Sequence, residues 1–325
     1  MENKKKVVVM GGGTGTFAVV SALKMLDCDI TSIIAVSDSG GSTGRIRDEF
    51  GFQPVGDLRQ SLAAMADSDG QEWIKKILLY RFSRGDGLKG HNLGNLLLTA
   101  LQDMTGSTSQ SLEIAQKIFN LSGTVIPVTE ENVNLEITYT DDSTVVGEHT
   151  LDEDITEPKT IQSVKLIPDC TLHSKAEEAL KNADLIIIGP GDFYASLLAT
   201  LVVPGIPAAF GKIKGEIAYI TNLMTRLTQT HDMTALDHLN KIEATLQRTV
   251  DFVIVNNAEI PAAAKTLYAN AHEHPVVDDL GINSKVVREP LISDDVLIKD
   301  TSDTAYRSLL RHDPEKLAIV FKKLL

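Results

Sequence analysis

The amino-acid sequence predicts an α/β fold, in which a Rossmann-like, doubly wound and mainly parallel sheet carries a small antiparallel hairpin insert and a helical flank. Short, almost continuously apolar runs such as residues 7–10 and 30–36 are typical of strands buried on both faces of a parallel sheet. Amphipathic helical patterns separate these runs, and glycine-rich turns follow three of them. Because no internal repeat or Pro/Gly-rich linker divides the chain, we expect one domain over residues 1–325.

The first half of the chain begins with two predicted strands and then becomes mainly helical. The strands are expected at residues 4–10 and 30–36, with a crossover helix at 17–26 between them. Residues 57–122 carry apolar side chains at i, i+3 and i+4 spacing, and Asp57 and Ser109 stand where helix N-caps belong. These features predict a helical flank on the sheet.

A change of period marks the predicted insert at residues 124–168. In NLEITYT apolar and polar residues alternate, and Asp141, Asp142 and Ser143 supply a turn before STVVGEH. This pattern is typical of a hairpin with one solvated face, and we expect a small antiparallel insert within the single domain.

The α/β pattern returns after the insert. The sequence predicts strands within 184–188, 216–224 and 252–260, and helices at 174–183 and 234–246. The C-terminal stretch from residue 306 is predicted to form a broken helix, with Pro314 tolerated in a first turn.

Charge and composition limit the classes of partner. The chain carries 44 acidic and 31 basic residues, a net charge of −13, which argues against nucleic-acid and anionic-membrane partners and favours a small molecule or a protein. Cys28 and Cys170 belong to no CxxC pattern, which favours a reducing compartment. The N-terminal apolar run is shorter than the roughly 7–15 residues of a secretory signal, so we expect a cytoplasmic protein. A homodimer is the default expectation, because two-fold assemblies are the commonest.

The first glycine turn, Gly11–Gly15, connects a predicted strand to a predicted helix. Glycine allows positive φ and close approach of a ligand, and a helix start offers free N–H groups and a positive dipole end. Thr16 occupies the third glycine position of the G-x-G-x-x-G pattern, so this turn alone is weak evidence. A phosphate site and a purely structural strand–helix corner are both compatible with it.

Two further glycine-rich segments strengthen the prediction of a phosphate site. Ser39–Gly44 follows Asp38 and precedes Arg45 and Arg47, which suits a second anionic group better than a plain nicotinamide site, although a surface loop remains the alternative. Gly189–Ser196 again follows a predicted strand. Because ligands of open α/β sheets bind beyond the carboxyl ends of the strands, we expect the three turns to meet along one crevice.

Polar residues at two helix starts are further candidates. Asp57 is interpreted either as an N-cap alone or as a cap that also faces the pocket. His91, Asn92 and Asn95 could cap a helix or contact ligand oxygens, and His91 is equally compatible with a structural role. His91 has no histidine or carboxylate at i+3 or i+4, so we predict no metal site there.

These motifs together, GGGTGT, SDSGGSTGRIR, PVGDLR, GHNLGN, GPGDFYAS and YITNLMT, resemble the gluconeogenesis factor family over about residues 5–320. That family comprises uridine diphosphate-sugar-binding regulators of cell-wall precursor supply and cell shape, and it shares a fold with 2-phospho-L-lactate transferase. The resemblance implies a non-catalytic site for a UDP-sugar such as UDP-N-acetylglucosamine, with no required cofactor. It also implies a partner enzyme of amino-sugar synthesis. The ligand contacts that it implies are Gly11, Gly12, Gly13, Thr14, Gly15, Asp38, Ser39, Gly40, Gly41, Ser42, Asp57, His91, Asn92, Asn95, Gly189, Gly191, Asp192, Ser196, Asn222, Met224, Thr225, Tyr268 and Arg311.

The chain departs from the family pattern in two places. Asp192 stands where the family has serine after the third glycine turn, and Arg226–Thr230 replaces the usual Gln-Pro-Gly-Glu-Thr after Met-Thr. A carboxylate beside a phosphate weakens binding unless it points away or holds a cation. Tyr268 and Arg311 are expected to contact the sugar nucleotide without supporting the fold.

Two other functions are weighed against a sensor. A transferase that moves a phospholactyl group to a deazaflavin would need Asp38, Asp57 and Asp192 to hold Mg²⁺. Arg45, Arg47 or Arg59 would clamp phosphate, and Phe193 and Tyr194 would stack on the flat acceptor ring. Aromatic residues make up only 5% of the chain, which disfavours such a slot. A nicotinamide-dependent oxidoreductase is the third alternative.

Overall fold

The computed structural model of the chain describes residues 4–66, 71–148, 151, 158–293 and 309–325. Within these residues a seven-stranded sheet has the order β10-β9-β8-β7-β1-β2-β3, and every pair in it is parallel. Its strands are β1 Lys5–Gly11, β2 Cys28–Ile34, β3 Thr124–Pro127, β7 Leu185–Ile188, β8 Glu216–Ile220, β9 Phe252–Asn256 and β10 Val286–Glu289. The predicted Rossmann-like fold class is confirmed.

The winding of the chain creates a switch point beside β1. From β1 the chain runs outward to β2 and β3 on one side, and later returns to β7 and winds outward through β10 on the other. The strands that diverge from β1 leave a crevice at their carboxyl ends, which is where open α/β sheets bind ligands. The strands β1 and β7 are buried because their Val7–Met10 and Leu185–Ile188 segments are wholly apolar.

Helices connect and flank the strands. Their bounds are α1 Gly13–Leu23, α2 Gly41–Phe50, α3 Gly56–Met65, α4 Glu72–Leu79, α5 Leu93–Thr105, α6 Thr108–Ile118, α7 Ser174–Asn182, α8 Ala199–Leu201, α9 Ile206–Phe210, α10 Leu227–Thr230, α11 Ala235–Leu246, α12 Ala262–Asn270 and α13 Pro314–Leu324. A π-helical turn, Phe193–Leu198, precedes α8. Residues 309–313 lack the predicted helix, and Asp313 caps α13, in which Pro314 occupies the first turn as predicted.

The insert contains one strand more than the predicted hairpin, and it begins later in the sequence than predicted. The predicted hairpin is β4 Asn134–Tyr139 with β5 Thr144–Val146, and a third strand, β6 Ile161–Ile167, pairs with the other edge of β4. Residues 124–127 do not belong to it, because they pair in parallel with β2 as the edge of the main sheet. The insert therefore begins after Pro127.

Three local predictions at helix starts are wrong. The segment predicted as a second glycine loop opens α2, with Gly40 at the N-cap position. Asp57 does not cap α3, whose N-cap is Val55 without a side-chain bond. Ser107, not Ser109, caps α6 by accepting from the Gln110 N–H at 3.2 Å.

Two further features are the state of the two cysteines and the length and polarity of the helices. Cys28 and Cys170 are both free thiols. In the part of the chain that the structure describes, every helix is too short or too polar to cross a lipid bilayer.

Candidate functional site

A cleft of about 260 Å³ opens at the carboxyl ends of β1, β2 and β7. The turn after β1 touches the turn after β7, because a Cβ added to Gly15 would overlap the carbonyl oxygen of Pro190. The segment after β2 borders the same cleft through Asp38 and Gly40. The three predicted turns therefore meet along one crevice, since β1 lies between the other two strands.

Most of the predicted contact residues line this cleft. They are Gly12, Gly13, Thr14, Gly15, Asp38, Gly40, Ser42, Asp57, Asn95, Gly191, Asp192, Ser196, Asn222, Met224, Thr225, Tyr268 and Arg311. Their contacts with a ligand stay a prediction.

Five predicted residues with described side chains do not line the cleft: Gly11, Ser39, His91, Asn92 and Gly189. The prediction for Gly41 lies outside the described side chains. Gly11 lies within β1, and the Gly189 N–H donates to the Met10 carbonyl, so both belong to the sheet behind the turns. Asn92 is the N-cap of α5 and accepts from the Gly94 N–H at 2.8 Å. His91 Nδ1 lies 3.2 Å from Ser42 Oγ, so His91 positions a cleft residue.

Asp57 faces the first glycine turn. A Cβ on Gly12 would overlap its Oδ2, the Gly13 N–H donates to the carboxyl group, and Ser196 Oγ lies 3.4 Å from Oδ2. Burial raises the pKa of Asp57 to about 7, and the charges of Asp38 and Asp192 add to this effect. Burial likewise raises the pKa of Asp38, although its Oδ1 accepts from the Gly40 N–H at 2.8 Å.

The raised pKa predicts that Asp57→Asn stabilises the protein increasingly as pH rises. A carboxyl group whose folded-state pKa lies above its unfolded value of about 3.9 progressively destabilises the fold as pH rises from that value to about 7, and the loss levels off above it. Asparagine keeps an acceptor for the Gly13 N–H without that charge. Because the carboxyl partly faces the cleft, we expect the advantage of Asp57→Asn to grow by about 1–2 kcal/mol between pH 5 and pH 8.

Urea unfolding at both pH values measures this advantage. Asp29→Asn, in β2, is the control, because Asp29 does not line the cleft. An Asp57→Asn advantage that is the same at pH 5 and pH 8 would contradict the placement of this carboxyl group.

Among the residues that the structure describes, four arginines also line the cleft: Arg59, Arg81, Arg226 and Arg311. Arg59 is buried and donates to the Leu78 carbonyl at 3.1 Å, and Arg81 donates to the Gly90 carbonyl at 2.9 Å. The prediction of Arg59 as a pocket cation is consistent with this position. Arg47 instead donates to the Val133 carbonyl at 2.8 Å, so it anchors the insert and does not line the cleft.

The three aspartates proposed for Mg²⁺ do not form one group. Within the described residues no cluster of three or more His, Cys, Asp or Glu side chains has the arrangement of a metal site. Asp192 instead forms an ion pair with Arg226, whose Nη1 lies 2.6 Å from Oδ1. The carboxylates of Asp38 and Asp57 remain on the cleft wall.

A family model described as 2-phospho-L-lactate transferase CofD matches residues 7–295. The chain belongs to this family. The gluconeogenesis factor of Bacillus subtilis is 34% identical over 331 residues, covering 100% of this chain and 99% of the relative. That of Halalkalibacterium halodurans is 36% identical over 307 residues, covering 92% and 94%. A crystal structure of a Bacillus halodurans protein of the UPF0052 family matches with a TM-score of 0.88 at 32% identity, covering 99% of this chain and 100% of that one.

The two departures from the gluconeogenesis factor pattern meet in this CofD-family cleft. Asp192, in the place of serine, pairs with Arg226, in the place of glutamine. Gln229, in the place of glutamate, donates to Asp192 Oδ1 at 3.0 Å. The negative charge that was expected to weaken phosphate binding is therefore neutralised by a neighbouring cation.

Tyr268 has a structural role, so the expectation that it does not support the fold is wrong. Its side chain is 4% exposed, and its hydroxyl oxygen accepts from the N–H groups of Leu309 and Leu310 at 2.8 and 3.1 Å. Its ring belongs to a small apolar cluster that also holds Leu310 and Ile292. Tyr268 therefore ties α12 to the segment that carries Arg311.

Tyr268→Phe is expected to lower the free energy of unfolding by about 1–2 kcal/mol, because it removes the acceptor of two amide groups at a buried position. Tyr80→Phe is the matched control, since Tyr80 is 50% exposed. Urea unfolding distinguishes the two variants. An equally small loss of unfolding free energy in both variants would contradict the structural role of the Tyr268 hydroxyl.

Several cleft residues were not predicted from the sequence. Arg81, Glu273 and His312 lie in no motif and reach the cleft only through the tertiary fold. Glu148 comes from the insert and adds a carboxylate to the cleft wall. His312 is buried, and burial lowers its pKa to about 4, so its imidazole is neutral at pH 7.

Proposed function

We propose that the cleft binds a UDP-sugar, with UDP-N-acetylglucosamine as the first candidate, and that the protein senses this ligand without transforming it. The observation that carries the proposal is the meeting of three glycine-rich segments and four arginines around one cleft. Relatives named gluconeogenesis factor support membership of the regulator group. The regulation of cell-wall precursor supply and cell shape is part of this proposal, and we place it in the cytoplasm.

The diphosphate would lie against the first turn of α1. This helix begins at Gly13, whose N–H donates to the Asp57 carboxyl group, and the next two residues of its first turn, Thr14 and Gly15, line the cleft. Helix N-termini of this kind favour anions through their N–H groups and dipole. Cleft arginines supply the compensating charge that two phosphate groups need.

Polar atoms of the cleft that lack a hydrogen-bond partner suit the hydroxyl and amide groups of a sugar nucleotide. Among the described residues, Asn95 Oδ1, Asn222 Oδ1 and His312 Nε2 are buried without a hydrogen-bond partner. The orientation of Asn222 is fixed, because its Nδ2 donates to the Gly191 carbonyl at 2.9 Å. Since a buried unpaired polar atom costs about 1–3 kcal/mol, a ligand with matching groups gains affinity at these three positions.

The transferase alternative has family membership in its favour but lacks the predicted ring platform. Phe193 and Tyr194 are 1% and 3% exposed. Phe193 packs edge-on against His238 with ring centroids 4.5 Å apart, and the Tyr194 hydroxyl donates to the Ile161 carbonyl at 3.4 Å. Both rings belong to the core and cannot stack on a deazaflavin, so the geometry favours the sensor.

Calorimetry with UDP-N-acetylglucosamine, with and without Mg²⁺, tests the proposal. We expect a dissociation constant of about 1 μM or below and no product over several hours. Cleavage of the ligand would refute the sensor, and binding of a deazaflavin in place of the sugar nucleotide would favour the transferase alternative. The Mg²⁺ arm decides whether Asp38 and Asp57 take part in binding through a cation.

Arg311→Ala is expected to weaken UDP-N-acetylglucosamine binding by about tenfold, because it removes a cation from the cleft wall. Lys323→Ala is the control, since Lys323 lies on α13 and pairs with Glu289 outside the cleft. Calorimetry measures both affinities, and equal affinities would show that Arg311 does not contact the ligand.

Occupancy of the cleft would then be read by a partner enzyme of amino-sugar synthesis. Such coupling requires only that the ligand has different affinities for two conformations of the protein. A homodimer is part of the proposal, and light scattering measures it.

A further inference from the structure

Exposed apolar side chains concentrate on α4 and the loop that follows it. Trp73, Ile77, Leu79, Tyr80 and Leu88 are all exposed, and Trp73, the single tryptophan of the chain, is 72% exposed. Trp73 and Ile77 lie four residues apart on one side of α4, and Tyr80 follows directly after the last residue of the helix. Clustered exposed apolar residues of this kind mark interaction sites, whereas isolated ones are ordinary.

The same segment is basic in an acidic chain. Residues 72–89 carry five basic side chains and two acidic ones, whereas the whole chain has a net charge of −13. Lys76 Nζ lies 4.8 Å from the centre of the Trp73 ring, so cation and aromatic group form one surface. The complement of this surface is an acidic and partly apolar one.

A second copy of the chain fits this surface poorly. A two-fold contact would place the basic segments of both copies opposite each other, which costs energy through like charges. A head-to-tail contact with an acidic face of another copy would build rings or open chains of molecules, whereas the proposed assembly is a two-fold dimer. The charge pattern therefore favours a different, acidic protein.

Two cleft arginines hold this segment in place. Arg59 donates to the Leu78 carbonyl in the last turn of α4, and Arg81 donates to the Gly90 carbonyl at the end of the loop. The loop is closed on itself by bonds between Phe82 and residues 90 and 91. A phosphate bound in the cleft would compete for the same guanidinium groups, so ligand binding alters the contacts that fix the segment.

We propose that residues 72–89, called the α4 surface, form a docking site for an acidic surface of a different protein, and that ligand in the cleft changes the affinity of docking through Arg59 and Arg81. The docking site is inferred from exposure and charge alone. The coupling rests on the proposed function, because it requires an anionic ligand in the cleft.

Site-specific photocrosslinking in the native host tests the docking site. The full-length protein carries p-benzoylphenylalanine in place of Trp73, or, as a control, in place of Ile319, which is 60% exposed on α13. We expect an adduct from position 73 whose partner peptide contains more acidic than basic residues. The adduct should decrease about tenfold in a Lys76→Glu/Arg84→Glu background.

Five outcomes would overturn the docking site. They are an adduct with a second copy of the chain, an adduct with nucleic acid, equal adducts from positions 73 and 319, a yield that charge reversal does not change, and capture of a protein without an acidic contact peptide.

Tryptophan fluorescence of the unaltered protein tests the coupling, because Trp73 is its only tryptophan. We expect UDP-N-acetylglucosamine to shift the emission with the midpoint found by calorimetry, and to change the yield of the position-73 adduct at least about threefold. Calorimetric binding without either change would refute the coupling and leave the proposed function intact. Absence of calorimetric binding would refute the proposed function, and the adduct alone would then decide the docking site.

Discussion

Gly15→Ala is expected to destabilise the protein by about 3 kcal/mol, because the first and third glycine turns leave no room for a side chain between them. The added Cβ would overlap the carbonyl oxygen of Pro190 and lie 2.5 Å from its carbonyl carbon. Both atoms belong to the backbone, so the clash cannot be relieved by rotating a side chain. Overpacking in such a place typically costs about 1–3 kcal/mol and more where the backbone must shift.

Gly40→Ala is the matched control for this prediction. Its added Cβ would find Asp38 Oδ1 as the nearest atom at 3.5 Å, an ordinary contact, and its φ of −90° suits any residue. Urea unfolding of the two variants should therefore separate them by about 2 kcal/mol or more. A Gly15→Ala protein as stable as the Gly40→Ala protein would mean that the turns after β1 and β7 do not touch. The cleft would then be open between these two turns.

The parts of the fold that could be predicted from sequence are those with a local physical signature. Strands buried on both faces must be almost wholly apolar, which is why residues 7–10 and 185–188 were recognisable. Glycine turns mark the carboxyl ends of such strands, and parallel topology then brings the ends to one edge. The position of the cleft therefore followed from the sequence before any tertiary contact was known.

Local signals were ambiguous where one composition suits two structures. Glycine, serine and threonine are common both in loops and at helix starts, so the sequence predicts a loop at residues 39–44 although α2 begins at Gly41. The strand Ile161–Ile167 was missed because its exposed and buried residues do not alternate regularly. Neither error moves the cleft, because α2 begins after β2 has ended and Ile161–Ile167 belongs to the separate three-stranded sheet.

The wall opposite the glycine turns could not be predicted, because it depends on contacts between distant segments. The Tyr268 hydroxyl accepts hydrogen bonds from residues 309 and 310, which are 41 and 42 positions away, and no local sequence pattern predicts such bonds. His312 and Glu273 reach the cleft through the same packing. The resemblance placed Tyr268 and Arg311 near a ligand, but only the structure shows that one of them also holds the other's segment in place.

Arg226→Gln is expected to weaken UDP-N-acetylglucosamine binding by about tenfold or more. The substitution removes the cation that neutralises Asp192, whose side chain is only one-third exposed and which lines the cleft with Asp38 and Asp57. An uncompensated carboxylate near a diphosphate repels it, and at the reduced dielectric of a cleft such repulsion amounts to about 1–2 kcal/mol. Arg288→Gln is the control, because it breaks an arginine–aspartate pair with Asp278 that lies outside the cleft.

A double-substitution cycle separates this electrostatic role from a direct contact. If Arg226 mainly neutralises Asp192, the variant Asp192→Ser/Arg226→Gln restores the family's residues at both positions and should bind within about threefold of the unaltered protein. If Arg226 itself holds a phosphate, the double variant should bind as weakly as Arg226→Gln. Calorimetry on the unaltered protein, the two single variants and the double variant measures the coupling energy. If the losses of binding free energy of the single variants simply add in the double variant, the ion pair between Asp192 and Arg226 does not influence the ligand site.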